Sequence, residues 1–190
     1  MSGKIIIVSA PSGTGKSTII GQIIDDAMLN LGFSVSATSR KPRVGEVHGQ
    51  HYYFLSDEEF CRRIDAGEFI EWEEVYAGTH YGTLASEVER VTGQGKNLIL
   101  DIDVKGALNV KARYGARALA IFVMPPSVEA LSHRLHSRGT DSEETIQRRL
   151  AKAEEEISYA PRFDRVIVND SLPAAVAAMR AAIASFVNEK

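Results

Sequence analysis

Cysteine is nearly absent from this chain. Cys61 stands alone in 190 residues, so no internal disulfide can form, which excludes a cross-linked scaffold and fits a reducing compartment. It lies in a helix-like stretch and reads as a small buried or half-buried side chain. Long apolar runs are missing too. The longest near the N-terminus, Ile5-Ile6-Ile7-Val8, falls far short of the ~20 residues of a membrane helix and of a secretory core. Positive charge is not in excess: the formal net charge is −3. That argues against a general nucleic-acid binder, whose phosphate contacts call for surplus Lys and Arg, and leaves room for a local basic pocket. There is no internal repeat and no low-complexity segment. The expectation is a cytoplasmic protein, monomeric or homodimeric, with no nucleic-acid or membrane partner. What is present is ordinary for a globular protein: 44% hydrophobic and 25% charged residues, at a length that suits one well-buried core with a small inserted subdomain.

Strand and helix signals alternate along most of the chain. Residues 4–9 form a β-branched run bounded by a Pro/Gly-rich turn, the pattern of a fully buried strand. Further strands are predicted at 97–103, 119–124 and 165–168, and helices at 16–29, 105–113, 128–135, 143–159 and 174–187. This rhythm implies an α/β fold, a parallel sheet with right-handed crossovers. Residues 34–94 break it. They carry short strand-like pieces at 33–36, 52–55 and 69–75, hold most of the aromatic residues, and contain the capping box Ser56-Asp57-Glu58-Glu59. They read as an insertion built on the core. A second irregular piece, 136–142, precedes a helix that Thr140 and Glu143 are placed to cap.

The first strand runs directly into Ala10-Pro11-Ser12-Gly13-Thr14-Gly15-Lys16-Ser17-Thr18, which opens the first helix. The pattern is that of a P-loop, G-x-x-x-x-G-K-[ST], with Ala10 in place of its first glycine. The residue types follow from phosphate chemistry. Gly13 and Gly15 let backbone N–H groups converge on phosphate oxygens, and the helix N-terminus adds positive partial charge. Lys16 reaches the β- and γ-phosphates while the Ser17 hydroxyl ligates Mg²⁺. Ser12, Gly13, Thr14, Gly15, Lys16, Ser17 and Thr18 are thus the expected ATP-binding residues. An empty Gly-rich turn is the plain alternative, and the strand before and helix after weigh against it. In the NLILDID stretch, Asp101 and Asp103 share one face of the predicted strand at its carboxyl end, where ligands sit in open α/β sheets. One or both hold Mg²⁺ or touch the acceptor, or else cap the next helix; Asp101 is taken as the metal ligand beside Ser17.

The insertion carries the acceptor's identity. Arg40-Lys41-Pro42-Arg43 sets two guanidiniums around a rigid proline, and arginine's planar fork suits bidentate phosphate binding. Tyr52 and Tyr81 offer hydroxyl donors to the same phosphate. Glu71, a lone acid in Phe69-Ile70-Glu71-Trp72, matches the adjacent N1–H and 2-amino donors of guanine, with Ser36 and Thr83 completing the base edge. Each has a plainer reading: solvated loop charge, the wet face of a strand, core tyrosines.

Order and spelling together tip the balance. S-V-S-A-T-S-R-K-P-R-V-G-E-V-H-G-Q-H-Y-Y-F, then E-F-I-E-W, Y-G-T, L-D-I-D, R-G-T-D-S-E-E-T-I-Q-R-R-L and V-I-V-N-D closely resemble the guanylate kinase family along nearly the whole chain. The resemblance implies a P-loop three-layer core with a parallel sheet (1–33, 95–133, 150–190), a small mixed α/β GMP-binding insertion (34–94) and a helical lid (134–149). It implies that Ser36, Arg40, Arg43, Tyr52, Glu71, Tyr81, Thr83 and Asp103 form the GMP site. Arg134, Arg138 and Arg149 become lid arginines, catalytic with Lys16 and Arg43, and Asn169 lies near the ATP base. The implied reaction moves the γ-phosphoryl group of ATP to GMP, and by extension dGMP, with Mg²⁺. Such transfer needs positioning and charge neutralisation rather than a general base. Two alternatives stay open: a related P-loop kinase for another nucleotide or a sugar phosphate, and a non-catalytic interaction module of the same fold. Without the P-loop, Arg134, Arg138 and Arg149 would read as partners of Glu143, Glu144 and residues 154–156 along an exposed helix.

Overall fold

The computed structural model describes residues 3–76, 78–137, 139 and 142–189. Along the chain the elements are β1 (Ile5–Ser9), α1 (Lys16–Ile23), β2 (Leu31–Phe33), β3 (Ala37–Thr38), β4 (Tyr53–Phe54), α2 (Asp57–Asp65), β5 (Phe69–Tyr76), β6 (Thr79–Leu84), α3 (Ala85–Thr92), β7 (Asn97–Asp101), α4 (Val104–Tyr114), β8 (Ala118–Met124), α5 (Val128–Ser137), α6 (Glu143–Ser158), β9 (Arg165–Val168) and α7 (Leu172–Asn188). They form a five-stranded sheet in the order β2-β7-β1-β8-β9 and a four-stranded sheet in the order β4-β3-β6-β5. The chain divides into two compact units, 1–4 with 32–98, and 5–31 with 99–190.

In the second unit, β1 pairs in parallel with β8 and β8 with β9. Every residue of β1 is buried, as a strand covered on both faces requires. Alternation sends Ile6 and Val8 into one cluster with Ile19, Ile23, Ile121, Met179 and Ile183, so α1 and α7 cover that face. The α4 helix packs against β1 and β8, with Val104, Ala107 and Val110 buried. The result is three layers. A smaller cluster, Leu131, Leu135, Ile146 and Ala153, joins α5 to α6.

In the other unit, β3 pairs in parallel with β4, and β6 lies antiparallel to both β3 and β5. This mixed sheet encloses its own small core of Ala37, Phe60, Phe69 and Leu84. Its α2 helix starts where the sequence predicts, with the Ser56 hydroxyl accepting from the Glu59 N–H at 3.1 Å. Glu59 does not return the bond; its carboxylate takes Arg62 and Arg63 instead.

Several expectations need correction. The first helix ends at Ile23, not 29, and turns follow to Asn30, which sits at φ 47°. The 97–103 strand stops at Asp101 because Asp103 caps α4, accepting from the N–H groups of Lys105 and Gly106 at 2.7 and 3.0 Å. Asp101 and Asp103 therefore do not share a strand face. The predicted strand at 33–36 is a break between β2 and β3. Both β6 and α3 are additions to the reading, since 79–92 shows neither clean alternation nor a capping residue. Ser142 caps α6 through Thr145 N–H; Thr140 lies outside the described residues. Cys61 is exposed rather than buried, because α2 turns Phe60 inward.

Candidate active site

Two clusters of polar residues gather, one in each unit. The first is the phosphate loop. Thr14 N–H closes a turn onto the Pro11 carbonyl at 3.2 Å. Gly13 and Gly15 then take φ of 91° and 97°, the left-handed region open to glycine at little cost. At Gly15 space adds a second demand: a Cβ there would lie 2.7 Å from the Asn169 amide nitrogen. Gly15 caps α1 with no side-chain hydrogen bond. The first-turn N–H groups thus remain for an anion, and the helix dipole favours one there. Ser12, Ser17 and Thr18 are exposed around this turn, and Thr14 is buried beneath it.

The chain supports the loop from behind. Asn169 is buried and gives its side-chain N–H to the Thr14 carbonyl at 2.7 Å. Arg134 donates to the Asn169 carbonyl at 2.8 Å and to the Thr14 carbonyl at 3.4 Å. Both residues thus shape the loop, a task the sequence did not reveal. Arg149 reaches the same loop, 3.5 Å from the Ser12 hydroxyl. Arg138 lies outside the described residues. Lys16 forms an ion pair with Asp101 and stands 3.5 Å from the Ile102 carbonyl.

Glu143 pairs with His136 and accepts from Gln147. Glu156 is buried. Burial pushes its carboxyl up, while Lys152 and Lys16 pull it down and Asp103 and Glu155 push it up. A buried acid near the P-loop lysine was missed from sequence, although it shares the inward face of α6 with Ile146 and Ala153.

The second cluster lies on the mixed sheet. Glu71 and Thr83 are cross-strand partners, and the Thr83 hydroxyl donates to Glu71 Oε1 at 2.6 Å. Both are buried, with Glu71 only 7% exposed. The plain reading of Glu71 as a wet-face residue fails for a local reason. A register shift between Phe69 and Glu71 turns Ile70 and Glu71 inward in succession and leaves Trp72 43% exposed. At the other end of the cluster, Arg40 Nε donates to the Tyr81 hydroxyl at 3.2 Å. Its guanidinium carbon lies 5.5 Å from the centroid of Tyr52, whose ring meets that of Tyr81. Both Arg40 fork nitrogens bond Glu46 at 2.9 Å. Arg43 is exposed, with its main-chain N–H on Glu46 at 2.7 Å. Ser36 is half-buried, and its carbonyl accepts from Tyr53 N–H. The structure thus joins Arg40, Tyr52 and Tyr81, and separately Glu71 with Thr83. Glu46 was overlooked, though it sits three and six residues beyond the two arginines.

The guanylate kinase family profile matches residues 2–186. A guanylate kinase of Porphyromonas gingivalis is 59% identical over 184 residues, spanning 97% of this chain and 98% of that protein. One from Bacteroides thetaiotaomicron is 55% identical over 190 residues, spanning 100% and 93%. The crystal structure of guanylate kinase from Anaplasma phagocytophilum superposes with a TM-score of 0.76 at 31% identity, covering all of this chain and 88% of that one. With a phosphate loop, a buried carboxylate on a mixed sheet and this likeness along its length, the chain belongs to the guanylate kinase family.

Proposed function

We propose that the two clusters carry the two halves of one reaction, transfer of the γ-phosphoryl group of ATP to GMP, giving ADP and GDP, with dissolved nucleotides in the cytoplasm as substrates. The observation that carries the acceptor's identity is Glu71, a buried carboxylate held by Thr83 at 2.6 Å. Guanine presents two adjacent donors, N1–H and the 2-amino group, and one carboxylate accepts both. Adenine offers a bare N1 acceptor there and would leave the buried charge unpaired. In this reading 34–94 is the GMP-binding insertion. Arg40, Arg43, Tyr52 and Tyr81 bind the acceptor phosphate, Ser36 and Thr83 complete the base edge, and Asp103 contributes while capping α4.

On the donor side, the loop amides and Lys16 bind the β- and γ-phosphates and hold them in line. Arg149, with Arg134 and Arg138 on the lid at 134–149, neutralises charge that spreads over the transferring group and excludes water when the lid closes. Asn169 lies behind the loop, with its base contact secondary to the bond it makes to Thr14. Ser17 and Asp101 would hold Mg²⁺. Oxygen donors suit this hard cation, which keeps phosphate and water ligands, and an exposed hydroxyl on the first turn of α1 with one carboxylate beside Lys16 fits that habit. When bound, the ion neutralises charge on the phosphates. The acceptor oxygen is already anionic, so no residue needs to remove a proton.

The reading is tested by coupled ADP release with GMP, dGMP, AMP, CMP, UMP and ribose phosphates as acceptors. GMP, with dGMP, should dominate. Equal rates with AMP would overturn the role of Glu71, and no acceptor-dependent release would favour an interaction module.

A further inference from the structure

Glu46 has no part in the reaction as set out above, yet it bonds both arginines of the acceptor-phosphate cluster. It closes a turn: Glu46 N–H donates to the Arg43 carbonyl at 3.0 Å, with Gly45 at φ 88° between them. Arg43 N–H answers to Glu46 Oε2 at 2.7 Å. The same carboxylate grips the fork of Arg40, Nη1 to Oε2 and Nη2 to Oε1, both at 2.9 Å. Arg40 Nη1 also donates to the Lys41 carbonyl at 2.7 Å, and Nε donates to the Tyr81 hydroxyl at 3.2 Å. Four of the five N–H groups of Arg40 are thereby engaged inside the cluster, which leaves little of its fork for a bidentate grip on a ligand.

The direction of these bonds matters. A hydroxyl oxygen that receives an N–H keeps its own proton for a different acceptor. Held by Glu46, Arg40 therefore fixes which way the Tyr81 O–H points. The Tyr52 and Phe54 rings, 5.5 and 5.7 Å from the guanidinium carbon, keep the head in place. Glu46 stays ionised throughout any assay range, since the Arg40 guanidinium and then the Arg43 N–H hold its carboxyl down at about 2.

We propose that Glu46 is a positioning residue of the acceptor-phosphate site: by holding Arg40 it aims the Tyr81 hydroxyl at the GMP phosphate, and by closing the 43–46 turn it presents the exposed Arg43 as the cation that grips that phosphate. The inference rests on the reading of Arg43 and Tyr81 as phosphate donors, and narrows the part of Arg40 from phosphate ligand to support. It divides labour between two arginines that look equivalent in sequence, Arg40 as a fixed strut and Arg43 as the grip.

The test compares GMP with guanosine, which carries the same base and no phosphate. Dissociation constants for both, with kcat and KM, are measured for the wild type, Glu46→Gln, Glu46→Asp, Arg43→Ala, Tyr81→Phe and the double variant of Glu46→Gln with Tyr81→Phe. Glu46→Gln should weaken GMP on the order of tenfold to a hundredfold, the range of a lost charge-assisted pair. Guanosine binding should be unchanged, and KM for GMP should rise more than kcat falls. Glu46→Asp, which keeps the charge, should recover part of the loss and serves as the reporter if Glu46→Gln folds poorly. The double variant should lose less than the two single effects combined, because both act through one hydroxyl. Parallel weakening of GMP and guanosine would mean that Glu46 merely supports the insertion, and the proposal would fall. So would wild-type GMP affinity in Glu46→Gln while Arg43→Ala is weak, though the acceptor site itself would stand. If Arg43→Ala and Glu46→Gln both bind GMP normally, the acceptor-site reading fails and takes this inference with it.

Discussion

In the proposed reaction, the phosphate loop and the mixed-sheet cluster meet a nucleotide with different parts of the chain. The loop offers main chain: first-turn amides of α1, left-handed glycines, and Lys16 as a single side-chain charge. Its neighbours Asn169 and Arg134 serve the same end by bonding the Thr14 and Asn169 carbonyls. The mixed sheet offers side chains instead, with Arg40, Tyr52 and Tyr81 at one end and Glu71 with Thr83 at the other. Backbone amides read charge and geometry, which every nucleoside triphosphate shares. Side chains set on a sheet read one base edge. The loop should thus govern rate and the sheet should govern choice, and variants in the two regions should fail in different ways.

The largest effect is expected at Lys16. Lys16→Met should cut kcat by several orders of magnitude with folding intact, since it removes charge stabilisation rather than packing; near-wild-type turnover would sink the loop assignment. Arg149→Ala comes next. By analogy with arginine fingers it should cost on the order of 10³ in kcat, with a far smaller rise in KM for GMP, because its contacts matter in the reacting state. Unchanged kcat would make Arg149 a surface charge.

Glu71→Gln sharpens the comparison from the other side. It keeps size and replaces one acceptor oxygen with a donor. The GMP-to-AMP ratio of kcat/KM should fall at least about tenfold, while KM for ATP stays within a few-fold. If overall activity dropped at a constant ratio, base choice would pass to Ser36 and Thr83.

The smallest effect concerns the exposed pair His136–Glu143, which links α5 to α6 at 2.9 Å. Hydrogen bonding to the Ser132 carbonyl, and then to Glu143, raises His136 above its usual range. A raised histidine adds stability that is full below its unfolded value of about 6.5 and fades as pH rises through the folded one. Melting curves of the wild type and His136→Gln should therefore differ most in mild acid and converge in mild alkali. A constant gap would break the assignment to this pair.

How much of this was readable depended on whether the cause was local. The strand-loop-helix unit at 5–23 was legible because its turn, glycines and lysine are contiguous and each follows from phosphate chemistry. Helix α2 was legible at its start because Ser56 caps Glu59 three residues on. Asp103 caps α4 through one carboxylate oxygen, accepting from Lys105 and Gly106, a role the sequence offered beside that of ligand. By spelling and order the chain also pointed to its family, and so to Glu71, Arg40, Arg43 and Tyr81 as acceptor residues.

Only the tertiary structure decided how those residues are held. A sheet pairing brings Thr83 across from Glu71, and a register shift buries the acid while exposing Trp72, which no alternation rule predicts. Asn169 and Arg134 reach the loop from 155 and 120 residues away, and Glu46, in the connection between β3 and β4, is linked to Tyr81 of β6 through Arg40. Sequence by itself determined which groups were available and where the chain would turn, because those effects act within a few residues. Which donor meets which acceptor was settled by packing, since each bond joins groups that only the folded sheets and helices bring within 3 Å or so of each other.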